Sequence, residues 1–299
     1  MADPERSTEL LWGVGSRRGL SLDSIVRAAV ELADAEGLAA VSMRRLADRL
    51  GFTTMALYRH IPGKSELLAL MCDAVHGENH GGGPAEPGTE DGTGPGTEDG
   101  AVPGAGPDGE GGGWRDALAA WAREAMALHR RHAWLAESDD ARQVPGPNIV
   151  ARYDRGLGIV AATGLAPAQV VASVDLVGGF VDSTARQAAA AARAEARSGV
   201  SHEEWWGGRD SLYAHLDRYP ALTRLYRESA YDAPLDPFEF GLQRVLDGVA
   251  ALIRDESEDE KGCAVCGAPV ESGPAGRPRD YCSRACRQRA YRMRKGRHG

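Results

Sequence analysis

No run of about 18 apolar residues occurs in the chain, and no apolar stretch follows a basic start. Neither a membrane-spanning helix nor a secretory leader is therefore expected, and the protein reads as soluble and cytoplasmic. Convincing alternation of apolar and polar residues is missing too, which argues against a sheet scaffold. A Gly-x-Ser-x-Gly elbow and a glycine-rich phosphate loop are equally absent. His202-Glu203 begins like a metalloprotease signature, but Trp206 stands where the second histidine belongs. No enzyme is expected from such a chain. Cysteine is scarce and unevenly placed: Cys72 stands alone, and the other four of five fall within the last 37 positions. That crowding suits a metal better than a disulfide framework.

What is present suffices for a packed interior, with 299 residues of which 42% are hydrophobic and 26% charged. The formal charge of −8 conceals a division. Residues 261–299 hold ten Lys/Arg against two Asp/Glu, so the tail suits an anion while the rest of the chain is acidic. Between them "RDESEDEK", 254–261, reads as a solvated acidic run that also shields the tail, with the linker set at 255–262. Residues 77–113 have almost no apolar side chains and repeat PGTEDG from Pro87 and Pro95. Such glycine and proline density makes a hydrated, disordered connector.

Elsewhere the pattern is helical, and the expected fold is all-α. Trp114, Leu118, Trp121, Ala125 and Leu128 recur at steps of three and four, giving one core-facing stripe. Further helices are expected at about 148–162, 167–197, 202–217 and 237–254.

The most informative stretch runs from Ser21 to Val75. Ser21 caps a helix whose inward stripe is Leu22, Ile25, Val26, Ala29, Leu32 and Ala33, ending at Gly37. Ser42 caps a second, with Leu46, Ala47 and Leu50 inward and Gly51 as its left-handed stop. Thr53 caps a third, Thr54 to His60, closed by Pro62, and a fourth begins at Lys64. Two short helices joined by a tight glycine-containing turn form a helix-turn-helix, whose second helix enters the major groove. Tyr58, His60 and Lys64 follow as donors suited to phosphates.

This run resembles the DNA-binding domain of the TetR family of transcriptional repressors, most diagnostically in "MALYRHIPGKSELL". The resemblance implies a DNA-binding domain over 21–76, preceded by an arm, 1–20, in which Arg17 and Arg18 are candidate minor-groove or phosphate contacts. It implies operator contacts from Arg44, Thr53, Thr54, Met55, Tyr58, His60 and Lys64. Thr54 and Met55 would face bases, and Tyr58, His60 and Lys64 would hold the backbone. Arg59 is either a further contact or a solvated arginine. Residues 1–75 hold nine Lys/Arg against ten Asp/Glu, so affinity for double-stranded DNA must come from local placement and from a homodimer reading a palindrome.

Residues 114–254 resemble the C-terminal domain of tetracycline-repressor-type members, in "WAREAMALHRRHAWL" and "FEFGLQRVLDGVAALI". The likeness implies a helical ligand-binding and dimerisation domain. A small, mostly apolar effector, whose identity the sequence does not name, would shift the two heads and release the operator. His80 falls near a ligand-contacting histidine of that type, or is solvent-exposed. His129, His132, Trp205 and Trp206 are candidates to line the cavity, with core or surface roles as the alternative. The glycine-rich insert puts the usual contact between the fourth head helix and the body in question.

In the tail, Cys263-x2-Cys266-Gly267 and Cys282-x3-Cys286 lie 15 residues apart, the donor set of one closed structural zinc ion per chain. Residues 263–299 resemble a small treble-clef or ribbon-like finger. Beyond Cys286, Arg287, Arg289, Arg292 and Arg294 with Tyr291 suit DNA phosphates, the alternatives being RNA or an acidic partner. The chain thus reads as a ligand-responsive repressor; the alternative is a zinc- or redox-responsive regulator with the finger as sensor. Cys72, among leucines, reads as a small packed residue.

Overall fold

A computed structural model describes residues 4–12, 20–78, 113–138, 144–208, 212, 215–259, 263, 265–268 and 281–295. Among them every regular element is helical. No described helix is long and apolar enough to cross a membrane.

The head comprises α1 (Pro4–Trp12), α2 (Leu22–Glu36), α3 (Met43–Leu50), α4 (Thr54–Tyr58) and α5 (Lys64–Gly77). Its starts are set by side-chain caps that satisfy otherwise orphaned amides. Ser21 and Ser24 cap α2 reciprocally, each backbone N–H donating to the other's hydroxyl at 3.1 Å. The Ser42 hydroxyl accepts from Arg45 N, and Thr53 Oγ1 from Ala56 N at 3.2 Å. Gly51 ends α3 at φ 73°, a region a side chain would strain. The third helix stops at Tyr58 rather than His60. His60 N and Ile61 N both turn back to the Leu57 carbonyl at 2.9 Å, and Pro62 disfavours helical geometry at Ile61. Ile25, Leu46, Leu57, Ile61 and Met71 are fully buried at the centre of the head. Truncating one of them, such as Leu46→Ala, costs about 2–5 kcal/mol.

The body is built from α6 (Gly113–Arg131), α7 (Pro147–Ala161), α8 (Pro167–Ser198), α9 (His202–Gly207), α10 (Pro220–Arg227) and α11 (Pro237–Asp259). The α6 stripe is inward: Leu118, Trp121 and Ala125 are buried against α7, α8 and α11, and Leu128 packs into the head's core. Two boundaries differ from expectation. The helix begun at His202 stops at Gly207, where Gly207-Gly208 supplies a break, and a 3-10 turn at Leu216–Arg218 follows. The acidic segment 255–262 is helical as far as Asp259, because Gln169 of α8 donates to the Glu256 carboxylate at 2.5 Å and holds that turn.

The head's core extends into the body, beside a second core among the body helices. Leu128, Trp134 and Leu135 of the body join the head's core, and α5 packs along α7. The contact that the insert put in question is therefore made. In the expected arm, α1 is folded onto the head through buried Leu11, while Trp12 Nε1 donates to the Pro145 carbonyl at 3.4 Å. Arg17, Arg18 and His80 lie outside the described residues, as does most of 77–113. The tail contributes α12 (Arg284–Lys295).

Candidate DNA-binding, effector and metal sites

On α3, α4 and the start of α5 the structure separates two sets of cations. Arg45 and Arg49 are held by α2, to Glu36 at 2.8 Å and Glu31 at 2.9 Å. Arg44, Arg59 and Lys64 are exposed and form no ion pair among the described residues, so their charge stays available. With Leu57 fully buried, α4 turns its other positions to solvent: Thr54 is exposed, Met55 66% exposed and Tyr58 45%. Thr53 is exposed as the cap, and His60 is half-buried. An apolar methionine so exposed beside a tyrosine and uncompensated cations has the composition of a groove-reading surface.

A second group gathers where α5, α6, α7 and α8 meet. Arg152 of α7 lies in register with buried Gly156 and Val160, so its guanidinium turns inward and stacks over Trp121, 3.9 Å from the ring centroid. Trp121 Nε1 donates to the Arg152 carbonyl at 2.9 Å. Burial lowers Arg152 to about 10, with Asp182 opposing the shift. It has no ion pair among the described residues, since Glu124 is taken by Arg155. His129 reaches Asp182 at 3.3 Å through Nε2, but its buried Nδ1 lacks a partner among the described residues. His76 is anchored by Nδ1 to the Cys72 carbonyl at 2.7 Å. Burial, outweighing that bond, brings it down to about 4, with Arg152 and His129 adding repulsion. A guanidinium on an aromatic face beside two imidazoles can pair with an acidic oxygen carried on a ring.

Of the predicted effector residues, His129 belongs to this cluster. His132 instead lies in the seam between head and body, 3% exposed, with Nδ1 2.8 Å from Asp34 and Nε2 3.1 Å from Glu78. Trp134 Nε1 donates to the same Asp34 oxygen at 2.8 Å. Trp205 and Trp206, both partly exposed, line a separate open groove of about 530 Å³ with the end of α8. Sequence reasoning missed His76, Arg152 and Asp182, and took Trp121 for core alone. The available signal was Arg152 at four-residue steps from Gly156 and Val160, a charge on an inward face. Cys72 is buried, its thiol pushed up by burial and 3.5 Å from Ser138 Oγ.

The third group is the cysteine cluster. The four sulfurs of Cys263, Cys266, Cys282 and Cys286 lie within 4.8 Å of one another. Cys266 is 3.5 Å from Cys282 and 3.6 Å from Cys286. Four thiolates on one zinc at 2.3 Å place their sulfurs about 3.8 Å apart, so this spacing fits. The first pair sits on a knuckle: Gly267 N donates to the Cys263 carbonyl at 2.8 Å, and Cys263 N to Ala268 O at 2.7 Å. Burial raises the Cys263 thiol, but amides of Cys282, Val265 and Cys266 outweigh it and bring it to about 6. Hydrogen bonding to Cys266, Cys286 and Cys263 pushes Cys282 up to about 12. The second pair flanks Ser283, which caps α12 and accepts from Cys286 N at 3.3 Å. Arg287 and Arg289 are exposed on α12, as are Arg292, Tyr291 and Met293. The side chain of Arg294 lies outside the described residues.

Comparison with known proteins agrees with this layout. The pattern of bacterial regulatory proteins of the tetR family matches residues 25–71, and that of the Tetracyclin repressor-like C-terminal domain matches 106–253. The chain is 38% identical over 260 residues to the HTH-type transcriptional repressor DrrR1 of Streptomyces coeruleorubidus, covering 84% of this chain and 87% of that one. It is 31% identical over 236 residues to an HTH-type transcriptional regulator of Saccharopolyspora erythraea, covering 78% and 85%. Among solved structures, apo ActR of Streptomyces coelicolor superposes with a TM-score of 0.59 at 27% identity, over 81% of this chain and all of that one. ActR with actinorhodin gives 0.58 at 26%, over 79% and 97%. With the fold, a helix-turn-helix head and both domain patterns in agreement, the chain belongs to the TetR family of DNA-binding transcriptional regulators.

Proposed function

We propose that the protein is a homodimeric repressor whose body binds an aromatic, acidic small molecule and thereby releases a palindromic operator. One observation carries the reading: a single helix, α5, bears Lys64 at the DNA-facing end and His76 in the effector cluster. Twelve residues of helix place the two ends about 18 Å apart on one rigid rod. On the DNA side Thr54 and Met55 meet base edges, Arg44, Tyr58, Arg59, His60 and Lys64 hold phosphates, and Thr53 fixes the start of α4. On the effector side Arg152 neutralises the acidic group, Trp121 stacks, and His129 donates or accepts through its open nitrogen. Exposed Val171 and Leu176 on α8 and Phe240 on α11 supply a face for a second copy. DrrR1 is a repressor, and ActR has been solved with (S)-DNPA and with actinorhodin, which supports both halves of the reading. The domain limits 21–76 and 114–254 follow the two functions. The four tail cysteines hold one structural zinc ion per chain.

The test is a selection of genomic fragments with purified full-length protein, followed by challenge of the bound duplex with aromatic acids. A single palindrome is expected, released by at least one such compound. Arg152→Leu should hold the operator within about threefold of the parent and lose most of the release. Failure to recover a palindrome, or undiminished release from Arg152→Leu, overturns the proposal. Release by zinc chelation or thiol oxidation alone would favour the sensor-finger alternative.

A further inference from the structure

We infer that the four-cysteine centre is the folding switch of α12, and that zinc-loaded α12 is a second, sequence-independent clamp on the DNA backbone. The inference rests on the zinc assignment above and adds what the metal is for.

Its residues favour helix, but α12 is too short, too charged and too exposed to hold that helix alone. Of its side chains from Arg284 to Met293, only Cys286 and Ala290 are half-buried; the others are exposed. Those two are four apart and mark the single face turned to the cysteine cluster. A helix of twelve residues without a buried stripe is marginal in water. Arg284 and Arg287, and Arg289 and Arg292, also stand one turn apart and repel. None of the four has an ion-pair partner among the described residues. Two sources of stability remain, a cation at the first turn and anions along the surface.

The cation has its place. Cys286 lies in the first turn of α12, Cys282 just before its cap, and both face the knuckle of Cys263 and Cys266 through sulfurs. A zinc ion there ties residues 263–268 to 281–295 and supplies folding free energy that no apolar core provides. It also fixes Ser283 in the geometry that caps the helix.

The anion is double-stranded DNA. The tail carries ten Lys/Arg against two Asp/Glu, and its arginines spread round α12 rather than along one edge, as a helix between two phosphate rows requires. The head of the same chain already delivers it to DNA, yet residues 1–75 carry slightly more acid than base. A tethered cationic helix then acts at high effective concentration and adds affinity without altering the base code.

The experiment uses full-length protein and a 30-base-pair duplex of arbitrary, non-palindromic sequence, titrated by fluorescence anisotropy at several salt concentrations. Zinc-loaded protein should bind at least tenfold more tightly at low salt than chelated protein. Its log–log salt slope should be steeper by about 2–3 per tail, three phosphates at about 0.9 each. Hydrogen exchange at residues 284–295 should slow only when zinc is present. Arg287→Gln/Arg289→Gln/Arg292→Gln should retain one zinc per chain and that protection, yet show the slope of chelated protein. A chain with one zinc and an unchanged slope overturns the clamp and leaves the zinc assignment standing. A chain that takes up no zinc overturns both. Zinc-dependent preference for an RNA hairpin of equal length over the duplex overturns the choice of DNA.

Discussion

Replacing Asp73 with alanine should loosen the join between the DNA-binding head and the body by about 2–4 kcal/mol. Asp73, buried on α5, is the cap of a helix to which it does not belong. Its Oδ1 accepts from Asn148 N and Ile149 N, both at 3.0 Å, in the first turn of α7, and its Oδ2 from Asn148 Nδ2 at 3.0 Å. The residue at the α7 cap position is Gly146, which offers no side chain, and a Cβ there would stand 2.3 Å from the Asp73 carboxyl carbon. Loss of a cap costs about 0.5–2 kcal/mol. A second buried amide left without an acceptor adds about 1–3. Burial raises the Asp73 carboxyl above its usual range despite these bonds, so part of the loss is returned when the charge goes. Urea unfolding followed by tryptophan fluorescence would report it, since Trp121 and Trp134 are both buried. Asp73→Asn keeps one acceptor oxygen and should lose less than half as much. Gly146→Ala should be destabilising alone and nearly silent on top of Asp73→Ala, because both act on one contact. Unfolding free energies within about 0.5 kcal/mol for parent and Asp73→Ala would refute the reasoning.

His76 makes stability depend on pH, with a sign fixed by its lowered pKa. The folded protein disfavours the charged ring, so the contribution is complete above the unfolded value of 6.5 and is lost as pH falls toward about 4. The loss reaches about 3 kcal/mol. Urea midpoints at pH 7, 5.5 and 4.5 should fall in the parent and flatten in His76→Gln; parallel curves would count against it. Asp34→Ala strips the Asp34 acceptor from His132 and Trp134 and should cost about 1–3 kcal/mol in the same assay. Asp34→Asn, which keeps one acceptor, should recover part of that; equal losses would show the donors are not what matters.

The head was legible because its boundaries are local chemistry. Ser21, Ser42 and Thr53 cap where the spacing placed them, and Gly51 takes the left-handed stop. The cysteine cluster was legible for the same reason, a short spacing with one geometric solution. What escaped were charges whose role depends on which helices face one another. Nothing local singles out Arg152 or Asp73, yet each turns inward to a partner many residues away, Arg152 to Trp121 and Asp73 to the start of α7. His132 was a candidate to line the cavity; immediately past the end of α6 it faces Asp34 instead. The acidic end of α11 read as a linker, since nothing local shows that Gln169 waits opposite Glu256.

Under the proposed function, two of the contacts between head and body would respond differently to an effector. One is the Asp73 grip on the backbone of α7, the helix that also carries Arg152. On that proposal, a ligand that draws Arg152 toward its own acidic group would displace α7, and the two amide bonds to Asp73 would transmit that motion to α5 and so to Lys64. The other is the seam of Asp34, His132, Glu78 and Arg131, which binds α2 and the end of α5 to the end of α6 and includes neither Arg152 nor Trp121. With the seam fixed and α7 moving, α5 would pivot rather than translate. A hundredfold loss of operator affinity needs a difference of only about 2.7 kcal/mol in effector binding between the two arrangements. One neutralised buried arginine can supply a difference of that order, about 2–4 kcal/mol, only if the other arrangement leaves it unpaired. Arg152, stacked on Trp121 and without an ion pair among the described residues, meets that condition in this structure.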